Sequence, residues 1–285
     1  MTETLPGIQQ VHKILMDMQQ VLGAVYFDGR DISGARLGKK PGVLLLAASP
    51  PQVGDALEHM GIKAFTAGFF ELTVRLADCP TDLFYDFLYT GQIVLDRDGK
   101  LMEVLHKAEE KKDWVFDWRI FAELTYLMEK FSLSRTFFES GKKLDSYRNL
   151  VESLVNWARI AVYQHGAIPR RDIWAQVKEY DLGIERLYEE VIYSDETLDK
   201  RIELMQLVYQ NQVHSQAKAL SAPLLGFLGK HGEMTACRLA ALLPQGINHV
   251  YLAPTLDALA QLGYIQKRRE DDRAEPVYSV DLETH

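Results

Sequence analysis

Apolar and polar positions change period twice along this chain. In the first hundred residues the apolar runs are short. Gly23–Phe27, Val43–Ala48, Ile62–Thr66 and Gln92–Asp96 are bounded by Gly, Pro and polar clusters and predict four strands. Ahead of them, Ile8, Val11, Ile14, Leu15 and Met18 recur at three-and-four spacing, which predicts an amphipathic helix over 8–20. Pro50-Pro51 breaks the second strand, and Val53–Met60 reads as a short helix stopped by Gly61. Phe69–Leu76 and Thr81–Tyr89 read as helices split by Cys79-Pro80, with Gly91 as the stop and an Asp98-Gly99 turn closing the segment. Residues 1–98 are thus expected to form a small α/β domain.

From Leu101 to Leu220 the strand signal fades. Ile120, Leu124, Leu127, Met128 and Phe131 make one helical stripe. Tyr147, Leu150, Val151, Leu154, Val155, Ala158 and Val162 make a second, and Leu198, Ile202, Met205 and Val208 a third. Breaks are expected at Ser140-Gly141, Gly166 to Pro169, Gly183 and Ser194-Asp195, the last as a helix N-cap. Residues 99–220 therefore predict an all-α bundle with aromatic core anchors. After residue 221 come three short helices (from Leu224, Thr235–Leu243, and Val250–Leu262 ending at Gly263) and then two strands. Tyr264–Arg268 is expected to pair with Val277–Val280 across a charged loop, the pattern of a winged helix-turn-helix over 221–285. The expected class is α+β multidomain.

Composition narrows the function. The chain has 285 residues, 47% apolar and 25% charged, with a net charge of −8. That charge is spread evenly, with no acidic tail or basic arm, and it argues against a large nucleic-acid footprint. Cys79 and Cys237 form no Cys-x-x-Cys pair, and the eight histidines show no His-x-His or His-x-x-x-His spacing. No metal site is expected from them, and a reducing cytoplasm fits. No apolar run approaches the ~20 residues of a membrane span, and the acidic start Met1–Pro6 does not read as a leader.

Leu144–Tyr147 through Asn156–Arg159, then Ile173–Val177, Leu187–Glu190 and Leu198–Arg201, resemble the helical domain of the YgxA-like bacterial proteins. Gly91-Gln-Ile-Val-Leu-Asp96-Arg97 is similar to the strand that closes that family's first domain. The resemblance implies a nucleotidyltransferase-like α/β domain, a helical substrate-binding-type domain and a C-terminal winged helix. It is densest over 142–205 and thin over 1–60.

Active nucleotidyltransferases of this fold carry a Gly-Ser turn after the first strand and Asp-x-Asp on the second. Carboxylates two apart on a strand face the same way and can hold Mg²⁺ against a triphosphate. Here the turn reads Asp28-Gly29-Arg30, the second strand opens Pro41-Gly42-Val43-Leu44, and no Asp or Glu occurs between Ile32 and Gly54. Metal-dependent transfer by the usual route is not expected, and no residue is assigned a catalytic role. Mg²⁺ with a nucleotide enters only under the alternative of an active transferase, with Asp28 and Asp31 as displaced ligands.

Asp28, Gly29 and Arg30 are candidates for a remnant nucleotide or phosphate pocket, against the plainer reading of a solvated turn. Tyr147 and Trp157 are candidates for substrate contact, against plain core. Arg159 is a candidate ligand residue. With His165 it makes the Arg-x5-His spacing seen in helical ribonucleases, although pairing of Arg159 with a carboxylate and capping of the helix end by His165 fit that spacing better. For DNA, the candidates are Asn248 and His249 on the third helix of the last segment, and Lys267, Arg268, Arg269 and Arg273 in the wing. No Lys or Arg lies between Ile247 and Leu262, so a lone copy should bind DNA weakly, and protein docking or homodimerisation fits as well. The favoured expectation is a degenerate nucleotidyltransferase-like regulator that binds a nucleotide or other small ligand. A DNA-binding regulator is the second alternative.

Overall fold

The computed structural model of the chain describes residues 7–28, 40–48, 54–269 and 275–280. The chain divides into two compact units, Met1–Val115 with Ile168–Arg171, and Phe116–Ala167 with Asp172–His285.

In the first unit the elements are α1 (Ile8–Met16), β1 (Val21–Phe27), β2 (Gly42–Ala47), α2 (Gly54–His59), β3 (Lys63–Gly68), α3 (Phe69–Asp78), α4 (Leu83–Thr90), β4 (Gln92–Asp96) and α5 (Lys100–Glu110). They follow the expected order. The sheet runs β3-β2-β1-β4, with β2 antiparallel to β1 and parallel to β3, and β4 antiparallel to β1. Burial explains the unbroken apolar runs of the two inner strands, because both of their faces are covered. On one face Ala24, Tyr26, Val43 and Leu45 pack with Ile8, Val11 and Leu15 of α1 and Leu57 of α2. On the other, Phe27 stacks on Phe87 of α4 with centroids 4.1 Å apart, and Phe65 leans on Phe87 at 4.9 Å. Gly42 pairs with Phe27, and a Cβ there would lie 2.5 Å from that ring, so the stack requires glycine.

The Gly91-to-Arg97 motif is an assembly device. Asp96 accepts from the backbone N–H of Leu101 at 2.8 Å and of Met102 at 3.3 Å, so it caps the start of α5. Arg97 donates to the carbonyls of Leu15 (3.2 Å) and Met16 (2.8 Å), closing the open end of α1. The turn between β4 and α5 uses Asp98 and Gly99, both at positive φ. Because α5 packs on β1, β4 and α3, Lys100–Glu110 belongs with the sheet, and the boundary drawn at residue 98 from sequence falls short of it.

The following elements are α6 (Lys112–Glu139), α7 (Lys143–Gln164), α8 (Ile173–Tyr180), α9 (Leu182–Tyr193) and α10 (Leu198–Leu220). Within the second unit, Ile120, Leu124, Leu127, Met128 and Phe131 of α6 are buried, as are Leu150, Leu154, Ala158 and Val162 of α7 and Ile202 and Met205 of α10. Three boundaries differ from expectation. The first helix stops at Met16 rather than residue 20. Gly183 lies inside the first turn of α9, because Asp181 caps that helix by accepting from Gly183 and Ile184 N–H. The cap of α10 is Thr197 rather than Ser194-Asp195; Ser194 instead ends α9.

The last segment comprises α11 (Ala222–His231), β5 (Met234–Thr235), α12 (Ala236–Leu242), α13 (His249–Gln261), β6 (Gln266–Arg268) and β7 (Val277–Ser279). Its antiparallel sheet runs β5-β7-β6. Leu224, Leu239, Leu252, Leu256, Leu259, Ile265 and Tyr278 form its interior. The pairing of Lys267 with Tyr278 is as expected, whereas two-residue β5 is too short to show a period-two pattern.

Candidate functional site

The sequence resemblance puts the metals of an active nucleotidyltransferase at the edge built from the end of β1 and from β2. Phe27 pairs with Gly42, so Asp28 is the first residue beyond the paired strands. Asp28 is half-buried, and its charge adds to burial in raising the Tyr26 phenol above its ordinary pKa. Gly29, Arg30 and Asp31 lie outside the described residues. All six side-chain positions of β2 are buried and apolar, and Val43 and Leu45 are committed to the core against α1. A strand buried on both faces leaves no position from which a side chain could reach a solvated cation.

The helical unit holds a buried polar cluster that joins α6 to α7. Asn156 donates through Nδ2 to Glu123 Oε2 at 2.6 Å, and Arg159 Nη1 lies 3.5 Å from Glu123 Oε1. Arg119, one turn before Glu123, is buried with its guanidinium over the ring of Tyr163. Burial raises the Glu123 carboxyl above the usual carboxylate range; Arg159, Asn156 and Arg119 pull it down without cancelling the burial. A carboxyl so placed is able to keep a proton nearer neutrality than an exposed glutamate can.

Arg159 therefore sits against a carboxylate, as its spacing suggested. His165 donates through Nδ1 to the Ala161 carbonyl at 2.8 Å, at the end of α7, and stacks on Tyr180. The Arg-x5-His pair thus resolves into two side chains with separate partners. Tyr147 donates its hydroxyl to the Val191 carbonyl at 2.7 Å beneath the Arg201 guanidinium, tying α7 to α9, and Trp157 is buried. Sequence reading missed Glu123 and Asn156. Glu123 carries a signal, since it stands three after Ile120 inside the apolar stripe, where a lone acid demands a partner.

In the last segment the DNA candidates are largely engaged within the chain. Asn248 caps α13 by accepting from Val250 N–H at 2.9 Å, and its Nδ2 donates to the Tyr126 hydroxyl at 3.3 Å. Lys267 donates to Asp257 Oδ1 at 2.6 Å, and Arg268 to Glu233 Oε1 at 3.2 Å and Gln266 Oε1 at 2.7 Å. The charge of Arg269 also reaches Asp257. His249 is exposed at the start of α13, beside Val250, which is 75% exposed. Arg273 lies outside the described residues.

Among the described residues, no three His, Cys, Asp or Glu side chains are grouped to hold a metal, and no helix is long and apolar enough to cross a membrane.

Comparison with known proteins agrees with this architecture. Residues 117–216 match the family model described as the YgxA-like substrate binding domain, a span that encloses the 142–205 stretch carrying the sequence resemblance. Uncharacterized protein YgxA of Bacillus subtilis (strain 168) is 28% identical over 196 residues, which is 68% of this chain and 66% of that protein. The match thus spans just under two thirds of that relative's length. The crystal structure of a nucleotidyltransferase-like protein from Exiguobacterium sibiricum 255-15 superposes with a TM-score of 0.66 over 97% of this chain and 99% of that one, at 18% identity. The two share a fold. Residues 117–216 carry the likeness to the YgxA-like family model, and the chain shares the α+β fold of the Exiguobacterium protein.

Proposed function

We propose that this protein is a degenerate, non-catalytic member of the nucleotidyltransferase-like group. It binds a nucleotide or another small ligand and acts as a regulator through a C-terminal winged helix. The observation that carries the reading is β2. The strand that supplies paired carboxylates in active enzymes is here Gly42–Ala47, wholly apolar and packed on both faces. Without those carboxylates the metal-assisted neutralisation of a triphosphate lacks its ligands. The order α11-β5-α12-α13-β6-β7 with its three-stranded sheet supports the winged-helix description. The engagement of Lys267 and Arg268 with Asp257 and Glu233, together with an α13 that has no Lys or Arg, favours a protein-facing or intramolecular role for that segment over DNA binding.

The test is titration calorimetry of the full chain with ATP, GTP, CTP and UTP, each with and without Mg²⁺. Nucleotide binding with equal affinity in both conditions is expected. Binding that requires Mg²⁺, together with transfer of label from radioactive ATP that disappears in Asp28→Ala, would replace this reading with that of an active transferase. No heat with any of the four nucleotides would remove the nucleotide from the proposal.

A further inference from the structure

The second unit contains a cavity of about 290 Å³ walled by α6, α10 and α13. That volume equals roughly ten water molecules at about 30 Å³ each, the small end of the range for ligand cavities. Phe131 and Tyr209 form one wall, stacked with centroids 3.4 Å apart. Tyr209 is only 4% exposed, yet its hydroxyl finds no hydrogen-bond partner among the described residues. Buried tyrosine hydroxyls ordinarily find one. Among the described residues, the fully enclosed side-chain polar atoms without a partner are those of Asp199, Arg201 and Gln206, and the Tyr209 hydroxyl is not among them. It therefore keeps some accessible surface, and Tyr209 is among the residues that line the cavity.

Arg135 and His214 add polar groups to the lining. Arg135 is half exposed and holds only a long ion pair, 3.8 Å, to Glu139. His214 sets its ring edge-on to Tyr209 at 5.7 Å, and its carbonyl accepts from the Tyr264 hydroxyl. Burial and, after it, the Arg135 charge lower the pKa of His214, which favours the neutral imidazole. Burial holds the Tyr209 phenol protonated, a donor at any ordinary pH.

We infer that this cavity binds a small metabolite carrying one oxyanion group, carboxylate or phosphate. Arg135 and the Tyr209 hydroxyl donate to the oxyanion, with the neutral His214 edge beside it. The inference deepens the regulatory reading above and rests on it for one point only: Ala258 and Gln261 of α13 complete the cavity, so an occupant touches the C-terminal segment directly.

The test uses the full chain with histidine Cε1 labelled with ¹³C, the His214 resonance being assigned by its loss in His214→Gln. Inorganic phosphate and ribose 5-phosphate probe the phosphoryl form; acetate and L-glutamate probe the carboxylate. At least one probe should shift the His214 signal saturably below 10 mM, weaken at least tenfold in both Arg135→Gln and Tyr209→Phe, and slow amide exchange in α13. Both variants remove surface or hydroxyl groups without emptying the core, and an unchanged thermal midpoint verifies their folding. No shift with any of the four probes, or a shift that survives both substitutions, would overturn the inference. Nucleotides that give heat by calorimetry while none of the four probes moves His214 would sink this site and leave the regulator reading standing. Phosphate that moves His214 while no nucleotide binds would support this site and count against the nucleotide.

Discussion

Gly91→Ala should be among the most damaging single-methyl changes in the first unit. The backbone at Gly91 (φ −85°, ψ 164°) is extended and open to any residue, so the cost is overlap and not backbone strain. A Cβ there would lie 2.2 Å from Val25 Cγ1, 2.5 Å from the Phe87 carbonyl oxygen and 3.1 Å from the Tyr26 carbonyl oxygen. Optimal carbon contacts lie near 3.5–4.0 Å, so more than 1 Å of relief is needed. None of the three obstacles can swing away. Val25 is β-branched on an inner strand, and both oxygens are main chain, the Phe87 carbonyl accepting the Gly91 N–H at 3.0 Å. Overpacking costs about 1–3 kcal/mol, and a site walled by backbone belongs at the upper end, about 3 kcal/mol. For a unit of roughly a hundred residues this is a drop of about 10 °C or more in its thermal midpoint.

The control is Gly226→Ala in α11, where no atom lies within 4 Å of the added Cβ. There alanine should stabilise by about 0.5–1 kcal/mol through helix propensity. Circular dichroism melts, with hydrogen exchange on the β1 peptide to isolate the first unit, read both changes. A Gly91→Ala midpoint within about 2 °C of the parent would refute the close approach of β4 to β1 and with it the structural account of the motif.

Glu123→Gln should alter how stability varies with pH. A folded-state carboxyl raised by burial binds its proton more tightly than in the unfolded chain, so its contribution is present below the ordinary glutamate value and is lost as pH rises through the raised one. Denaturation midpoints should therefore fall across that window in the parent and lose this component in the variant; equal slopes would contradict the burial of Glu123. Asp257 works in the opposite sense. Burial alone would raise it, but hydrogen bonds from Lys267 and Tyr278 outweigh burial and leave it lowered. The stability it contributes is present above the ordinary aspartate value and lost as pH falls through the lowered one, and Asp257→Asn should flatten that acid limb. Asn248→Ala removes both the α13 cap and the bond to Tyr126, and a loss of about 1–2 kcal/mol in urea melts is expected. A neutral result would return Asn248 to the list of side chains free to contact a partner.

Much of the fold is legible in the chain itself because it rests on local rules. All four strands of the α/β segment register in the apolar runs, since inner strands covered on both faces must be continuously apolar. The β6–β7 pair follows from Gly263 and the two short runs on either side of the charged loop. The absence of carboxylates over 32–54 is likewise a property of sequence alone, and it bears on catalysis before any coordinate is known. Where caps compete, local rules fail. Ser194, Asp195 and Thr197 are all capping types, and the position at which α10 meets its neighbours decides among them.

What only the tertiary structure decided is who partners whom. Arg97 is in sequence only the last residue of a strand motif, and the fold brings it to the end of α1, some eighty residues away. Lys267 and Arg268 read as phosphate contacts until Asp257 and Glu233 are found beside them. Phe131, Tyr209 and His214 read as core or surface until α6, α10 and α13 converge around a cavity with an unpaired hydroxyl in its wall. Periodicity fixes which face of an element is buried, because burial depends on one residue's own polarity. Pairing depends on the distance between residues far apart in the chain, and that distance exists only once the chain has folded.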